Sequence, residues 1–500
     1  MELISHLMIG FEAVLTPTNL LYCFVGVFLG TLIGVLPGLG PMPTIAMLLP
    51  VTFALSPVTA LIMLSGIYYG AQYGGSTTAI LINLPGESSS VVTALDGYQM
   101  ARNGRAGTAL ATAALGSFFA GTVATFLLAL VAPPLAAVAL KFGPAEYFSM
   151  MVLGLIASVV LASGSLAKAI AMIVFGLLLG TIGTDLTSGT LRYTLGVPYL
   201  EDGIDIVVVA MGMFGVGEIV RNLEHEVTRE RLVSKVSGLM LGLKELKQIA
   251  LPVIRGTALG SILGVLPGGG AMLSSFASYA LEKKMSKRPQ DFGKGAIEGV
   301  AGPESANNAG AQTSFIPMLT LGIPSNPLMA LMMGALIIQG IQPGPSVMIE
   351  QPSLFWGIIV SMWIGNFFLI ILNLPLIGIW VRLLTLPYHF LFPAVLVFCS
   401  IGVYSIGNSS FDVGMLALFG LIGYVFAKLD CEPAPLILGF MLGPMMEEYL
   451  RRAMVLSRGD PMIFIERPIS ATLLILAVIS MVLVALPALR KTREVAFQED

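Results

Sequence analysis

Residues 30–41 read GTLIGVLPGLGP and residues 260–271 read GSILGVLPGGGA, so one motif occurs twice in this chain. Seven of the twelve positions are identical, including the prolines Pro37 and Pro267. Proline and clustered glycine destabilise a helix, yet both copies lie within strongly apolar sequence. The fold therefore depends on what two broken segments do in sequence that is otherwise suited to continuous helix.

The composition is typical of a membrane protein. The chain has 500 residues, of which 56% are hydrophobic and 11% are charged, whereas a soluble globular chain carries about 25% charged residues. Long apolar runs recur from Leu20 to Leu489, each near the roughly 20 residues that cross a bilayer. We expect an all-α polytopic membrane protein with about twelve transmembrane helices.

Several functional classes are disfavoured by the same sequence. The net charge is −3 and no basic stripe suggests a nucleic-acid partner. The three cysteines lack the spacing of a zinc site or a disulfide framework. No GxxxxGK[ST] loop and no HExxH motif occur. We therefore expect neither an enzyme nor a cofactor, and no metal beyond a possible Na⁺.

The apolar segments fall into two sets that resemble repeats. Besides the opening motif, Gly70-Ala71-Gln72 recurs as Gly310-Ala311-Gln312, and Leu84-Pro85-Gly86 is echoed by Ile323-Pro324-Ser325. The predicted organisation is a first membrane repeat over 1–220, a cytoplasmic polar linker over 221–248, a second membrane repeat over 249–466, a final transmembrane helix over 467–489 and a charged tail over 490–500.

Loop charges orient the two repeats. The first 101 residues contain no Lys or Arg, whereas 221–248 contains six and 282–294 contains five, and positive loops stay cytoplasmic. As one helix, 250–281 would be about 48 Å long, too long for a roughly 30 Å core. We expect a re-entrant hairpin there, and a matching one over 20–55 from the opposite face, which makes the repeats inverted. One crossing followed by an interfacial helix is the alternative.

The breaks predict a binding site at mid-membrane depth. Irregular backbone is tolerated there only where it is buried in protein or lines a cavity. Helix N-termini hold anions without Lys or Arg, and Asn326-Pro327, Pro41 with Pro43, and Ser88–Ser90 are patterns typical of helix starts. Alternatively, these glycines and prolines only permit kinks and close packing. The predicted substrate-binding residues are Pro37, Gly38, Gly40, Asn83, Gly86, Ser88, Ser89, Ser90, Pro267, Gly268, Gly269, Gly270, Ser274, Ser325 and Asn326.

Two acidic residues stand out because each lies in a polar stretch within the apolar region. An intramembrane carboxylate is a candidate cation or proton site. Glu87 has an equally good alternative as a solvated or helix-capping carboxylate. Glu304 is stronger because amide oxygens that suit a hard cation follow it. The first repeat has no matching acid in 64–72. The predicted cation-binding residues are Glu304, Asn307, Asn308 and Gln312.

Three stretches resemble one known family over nearly the whole chain. GVLPGLGP with its copy GVLPGGGA, YGAQYGGSTTAILINLPGESSS, and GVAGPESANNAGAQTSFIPMLTLGIPSNP are similar to the large membrane subunit of the tripartite tricarboxylate transporters. The resemblance implies a multi-pass protein of the bacterial inner membrane. It also implies similarity to ion-transporter folds with inverted repeats, helical hairpins and an elevator-like movement.

The function implied by the resemblance is Na⁺- or H⁺-coupled secondary import of an organic di- or tricarboxylate. The substrate would be received from a periplasmic solute-binding protein, and a small membrane subunit of about four helices would be the second partner. Two alternatives remain open: a carboxylate carrier that needs no binding protein, and a channel or non-transporting scaffold.

Overall fold

The computed structural model is almost entirely helical, which confirms the all-α class. It describes residues 2–36, 40–84, 86–161, 165–185, 187–224, 236, 238–266, 270–384 and 391–485. The centres of both motifs and the predicted charged tail 490–500 lie outside these residues. In the described part of the chain, the sheet consists of two short antiparallel strands, β1 (Gly183–Thr184) and β2 (Leu191–Arg192).

The first half contains ten α-helices among its described residues. They are α1 (Glu2–Val14), α2 (Pro17–Val35), α3 (Pro41–Thr52), α4 (Pro57–Ile82), α5 (Val91–Met100), α6 (Ala106–Ala139), α7 (Pro144–Leu161), α8 (Leu166–Gly180), α9 (Ile206–Ala210) and α10 (Gly217–Glu224). A 3-10 turn, Ser88–Ser90, leads into α5. A second 3-10 turn spans Pro198–Leu200, and π-helical turns over Ala101–Arg105 and Met211–Val216 join α5 to α6 and α9 to α10.

The second half begins within the predicted polar linker, because its first helix starts at Leu243. Its helices are α11 (Leu243–Val265), α12 (Gly270–Met285), α13 (Glu298–Thr313), α14 (Phe315–Leu321), α15 (Pro327–Ile338), α16 (Val347–Glu350), α17 (Pro352–Asn373), α18 (Ile377–Leu383), α19 (Leu391–Gly407), α20 (Ser410–Lys428), α21 (Pro433–Leu456), α22 (Ile463–Glu466) and α23 (Pro468–Ala485). A 3-10 turn over Pro289–Asp291 lies between α12 and α13.

Five helical segments are long and apolar enough to cross a membrane, counted over the described residues alone. They are Pro17–Val35, Ser88–Ala139, Leu243–Val265, Pro352–Asn373 and Ser410–Lys428. Shorter apolar helices accompany them, including α3, α8 and α15. The predicted total of about twelve spans therefore stays a prediction, while the membrane class is supported.

Both motif segments break where the sequence predicts a break. α2 ends at Val35 and α3 begins at Pro41, while α11 ends at Val265 and α12 begins at Gly270. The helices before each break pack through glycine: a Cβ on Gly34 would lie 2.4 Å from Ala71 O, and one on Gly264 would lie 2.4 Å from Gly310 O. For these motif glycines the packing interpretation is correct, because no side chain fits at such approaches.

Matching bends follow in the two halves. Asn83, with φ 55°, follows the end of α4, and Gly322, with φ 68°, follows the end of α14, so both helices are capped by a left-handed residue. Four positions later, Glu87 and Asn326 each precede a new helix. Both have φ −153°, and ψ is 163° for Glu87 and 169° for Asn326. These pairs support an internal repeat. The glycine contacts correct the predicted alignment of the two GAQ sequences by one residue. Gly34 contacts Ala71, and its counterpart Gly264 contacts Gly310, so Ala71 is the residue equivalent to Gly310.

Candidate functional site

A cavity of about 330 Å³ has walls from both halves of the chain. The first half contributes Gly40 and Glu87, and the second contributes Gly270 and Asn326. Tyr68 and Gln72 of α4 also line it, as does the start of α21. The volume is in the range of sites that bind small organic molecules.

Helix starts make up most of this wall. The first residues of α3, α12 and α15 line the cavity, as do Ala434 and Pro435 in the first turn of α21 and Ser88 at the 3-10 turn that leads into α5. Each helix start carries the positive end of the macrodipole, and the N–H groups of its first non-proline residues have no backbone partner inside the helix. The wall is therefore suited to negative charge.

Local sequence explains why these helices begin here. Pro41, Pro327 and Pro433 occupy the first position of their helices, where a missing N–H costs nothing. The Asn326 side chain accepts the Met329 N–H at 3.0 Å, which confirms the predicted cap. The predicted serine cap is not made: Glu87 precedes the 3-10 turn and Ser90 precedes α5, and neither side chain makes a cap hydrogen bond.

Inside α2 and α11 glycine is required for close packing, whereas beside the breaks it is required by the backbone conformation. Gly40 has φ 36° and Gly270 has φ 59°, so both adopt backbone that residues with a Cβ rarely accept. A Cβ on Gly270 would also lie 3.2 Å from Asn326 Nδ2. These two glycines turn the chain into α3 and α12 at the cavity wall.

The structure brings four of the predicted substrate residues to the cavity: Gly40, Ser88, Gly270 and Asn326. It does not bring six others to the wall, namely Asn83, Gly86, Ser89, Ser90, Ser274 and Ser325. The remaining five lie outside the described residues: Pro37, Gly38, Pro267, Gly268 and Gly269.

The residues that do not line the wall shape the backbone behind it. Asn83 is the exposed left-handed residue that ends α4. A Cβ on Gly86 would lie 1.9 Å from Gly34 O, so glycine permits that contact. The hydroxyls of Ser90, Ser274 and Ser325 donate to backbone carbonyls at 2.8, 2.6 and 3.0 Å.

Two carboxylates also face the cavity, Glu87 and Glu432. Ser89 donates a hydrogen bond toward the Glu87 carboxylate and lies 2.9 Å from Gln72 Oε1. Among the described residues that line the cavity, none is Lys, Arg or His. An anion in this cavity would therefore depend on helix starts and neutral donors, and ionised Glu87 would repel it.

Glu304 lies in a separate polar cluster and is fully buried. It sits inside the regular helix α13, so the polar stretch around it is helical. Ser76 Oγ lies 2.7 and 2.8 Å from its two carboxylate oxygens, and Thr93 also donates to it. Ser117 Oγ lies 3.4 Å away. Hydroxyls from α4, α5 and α6 thus surround this carboxylate.

The amides predicted to join Glu304 are arranged differently. Asn308 Nδ2 donates to Ser117 Oγ at 2.7 Å and to Asn307 Oδ1 at 2.6 Å, so it supports the hydroxyl cluster. Gln312 lies about 12 Å further along the helix axis, and its Oε1 has no hydrogen-bond partner. Over the described residues, no three His, Cys, Asp or Glu side chains form a metal cluster.

The sequence analysis missed several residues that line the cavity and several that surround Glu304. Glu432 precedes Pro433, and this acid–proline helix start was a usable signal for one of them. Tyr68 and Gln72 lie in the middle of α4, and Ser76, Thr93 and Ser117 follow no motif that points to Glu304. Their proximity comes from how α4, α5 and α6 pack on α13.

The chain is similar in sequence to two proteins from Agrobacterium vitis. A protein from Agrobacterium vitis, described as an uncharacterized 52.8 kDa protein in the TAR-I ttuC′ 3′ region, is 64% identical over 500 residues and the full length of both chains. A second, from the TAR-II ttuC′ 3′ region of the same organism, is 63% identical over 241 residues, which is 48% of this chain and all of that protein.

No solved structure matches this chain. The model of the tripartite tricarboxylate transporter TctA family matches residues 20–438, a stretch that contains both motifs, both sets of matching bends and Glu304. That match covers most of the sequence, and the chain therefore belongs to the TctA family, the large subunits of tripartite tricarboxylate transporters.

Proposed function

We propose that this protein is a cation-coupled secondary importer of an organic di- or tricarboxylate. The observation that carries the proposal is the convergence of the starts of α3, α12, α15 and α21 on one cavity. Helix dipoles and backbone N–H groups bind anions at such positions. The cavity of about 330 Å³ accommodates a small carboxylate.

The charges in the cavity wall support the proposed coupling to a cation. Glu87 and Glu432 line the cavity, and no basic side chain accompanies them among the described lining residues. Bringing a carboxylate substrate beside an ionised acid is unfavourable unless a proton or a metal cation enters as well. Glu304 is the centre of the proposed cation site, since its buried carboxylate is surrounded by oxygen groups.

We further propose inverted repeats in the bacterial inner membrane. The positive linker and the loop after α12 would then be cytoplasmic, and the two broken segments would enter from opposite faces. The matching left-handed residues Asn83 and Gly322 support the repeat. An elevator-like movement of the cavity is the mode of transport that we propose.

The proposed partners come from the tripartite organisation of the family. A periplasmic solute-binding protein would deliver the carboxylate, and a small membrane subunit of about four helices would complete the complex. The binding protein, a separate chain, would contribute to the choice of carboxylate.

Solute counterflow in proteoliposomes tests the function. The complete complex should exchange external labelled carboxylate for internal unlabelled carboxylate, and the rate should saturate with concentration. Conductance without saturation or exchange would instead identify a channel, and no flux would identify a scaffold. Omitting the binding protein separates the remaining alternative, since undiminished exchange would identify a carrier that works alone.

A further inference from the structure

A small chamber of about 10 Å³ lies beside Glu304, apart from the larger cavity. Its volume matches one water molecule or one small ion. The two spaces share no lining residue. The oxygen-bearing side chains that line the chamber come from α4, α6, α13 and α17: Tyr73, Ser76, Thr77, Ser117, Glu304 and Asn373.

Glu304 is a buried acid without a basic partner in the described part of the chain. Its carboxylate receives hydroxyl hydrogen bonds from Ser76, Thr93 and Ser117. Hydroxyls lower the cost of burying a carboxylate but leave its charge uncompensated. Each hydroxyl also keeps lone pairs that can coordinate a cation.

Asn373 is the second, independent observation. Its Nδ2 donates to Leu369 O at 3.0 Å, which determines the orientation of the amide. Its Oδ1 has no hydrogen-bond partner, although the residue is only 3% exposed. A buried acceptor without a donor is unfavourable, and this one belongs to the wall of the chamber.

We propose that this chamber binds one Na⁺, with Glu304, Ser76, Thr77, Ser117 and Asn373 as its oxygen ligands. A single carboxylate balances a monovalent ion, and hard cations prefer oxygen ligands. The inference rests on the proposed function, because it assigns the coupling ion to a place. It also replaces Asn307, Asn308 and Gln312 as direct ligands, since none of them lines the chamber.

Two elements connect the chamber to the substrate cavity. On α4, Gln72 lines the cavity while Ser76 and Thr77, one turn later, line the chamber. Ser88 at the cavity wall belongs to the same helical run as Thr93, which donates to Glu304. An ion that draws in Ser76 and Thr77 therefore orders one wall of the cavity, and the carboxylate substrate orders the same wall from the other side.

Binding of ²²Na⁺ to the purified full chain tests the site directly. The wild type should bind saturably, and excess unlabelled Na⁺ should displace the label while excess K⁺ should not. Thr77→Val keeps the side-chain shape and removes one ligand, and Asn373→Leu removes another. Each should weaken Na⁺ binding by about tenfold, and Glu304→Gln should abolish it.

Thr125→Val is the matched control. Thr125 is a buried threonine on α6 whose hydroxyl donates to a backbone carbonyl one turn back at 2.7 Å, as Thr77 does at 3.3 Å, but it does not line the chamber. It should bind Na⁺ like the wild type. Absence of saturable binding to the wild type, or equal affinity in Thr77→Val, Asn373→Leu and Thr125→Val, would overturn the assignment.

Counterflow distinguishes failure of the site from failure of the function. Carboxylate exchange by the complete complex without Na⁺ binding would remove the chamber proposal and leave the carrier, with a proton as the coupling ion. Na⁺ binding that depends on Thr77 and Asn373, without carboxylate exchange, would keep the site and remove the proposed function.

Discussion

Glu87 and Asn326 occupy equivalent positions in the two halves of the chain. Both have φ −153°, both precede a helix, and both line the same cavity. One half thus places a carboxylate where the other places a neutral amide. The cavity is asymmetric in charge although its backbone repeats.

Removing the acid at Glu87 and adding one at Asn326 should change substrate affinity in opposite directions. Glu87→Gln removes the repulsion that an ionised Glu87 would exert on the proposed carboxylate, so at alkaline pH we expect the counterflow KM to fall by about tenfold. Asn326→Asp adds a charge and should raise KM by a similar factor. Initial exchange rates over a range of carboxylate concentrations measure both. Equal KM values in the two variants and the wild type would place the substrate elsewhere.

Stability should be sensitive to a single methyl group added at the motif glycines inside α2 and α11. A Cβ on Gly34 would lie 2.4 Å from Ala71 O, and one on Gly260 would lie 2.2 Å from Ala306 O. We expect Gly34→Ala and Gly260→Ala each to lower the free energy of unfolding by about 2 kcal/mol, measured by thermal unfolding in detergent.

Gly378 provides the matched control, because it lies in α18 and a Cβ added there would have no atom within 4 Å. Gly378→Ala should be neutral or slightly stabilising, since alanine loses less backbone entropy on folding. If all three variants unfolded alike, close helix packing would not explain the motif glycines.

Asp96 should hold the charged loop after α12 in place. Its Oδ1 accepts the N–H groups of Gly293, Gly295 and Ala296 at 2.9, 2.8 and 2.8 Å, and Tyr279 donates to Oδ2 at 2.9 Å. Asp96→Ala leaves those donors without a partner, and we expect the free energy of unfolding to fall by about 3 kcal/mol or more.

Limited trypsin digestion at this loop provides the measurement. Cleavage after Lys294 should become faster in Asp96→Ala, because the carboxylate no longer organises the backbone on either side of that residue. Gln290→Ala, an exposed change in the same loop, should digest like the wild type. Unchanged digestion of Asp96→Ala would mean that other contacts order the loop.

An ion-pair cluster outside the membrane-spanning segments should make stability depend on pH. The Arg451 guanidinium, then the Thr187 N–H and Arg192, hold the pKa of Asp185 well below its ordinary value. Because the pKa is lower in the folded state, Asp185 stabilises the protein above its unfolded pKa of about 3.9. That stabilisation is lost as the pH falls through this value toward the folded pKa.

We therefore expect Asp185→Asn to lower Tm at pH 7, and the difference from the wild type to shrink below about pH 4. Asp202→Asn changes an exposed acid in the same connection between α8 and α9 and should leave Tm unchanged. A difference between Asp185→Asn and the wild type that stays constant with pH would show that the carboxylate charge contributes little.

Sequence alone determined the features that depend on local chemistry. Apolar runs required a membrane protein, and the breaks before Pro41 and Gly270 required helices to end and restart. The cap at Asn326 followed from an asparagine before a proline. These outcomes depend on neighbours in the chain, so a linear pattern is enough to predict them.

Tertiary structure alone decided which polar groups meet. Glu304 is bonded by Ser76, Thr93 and Ser117, which lie far from it in the chain, and not by a ligand set drawn from its own segment. Asn373 reaches the same chamber from α17. The physical reason is that helix packing chooses the facing residues, and a buried carboxylate takes its hydrogen-bond donors from whichever helices pack against it.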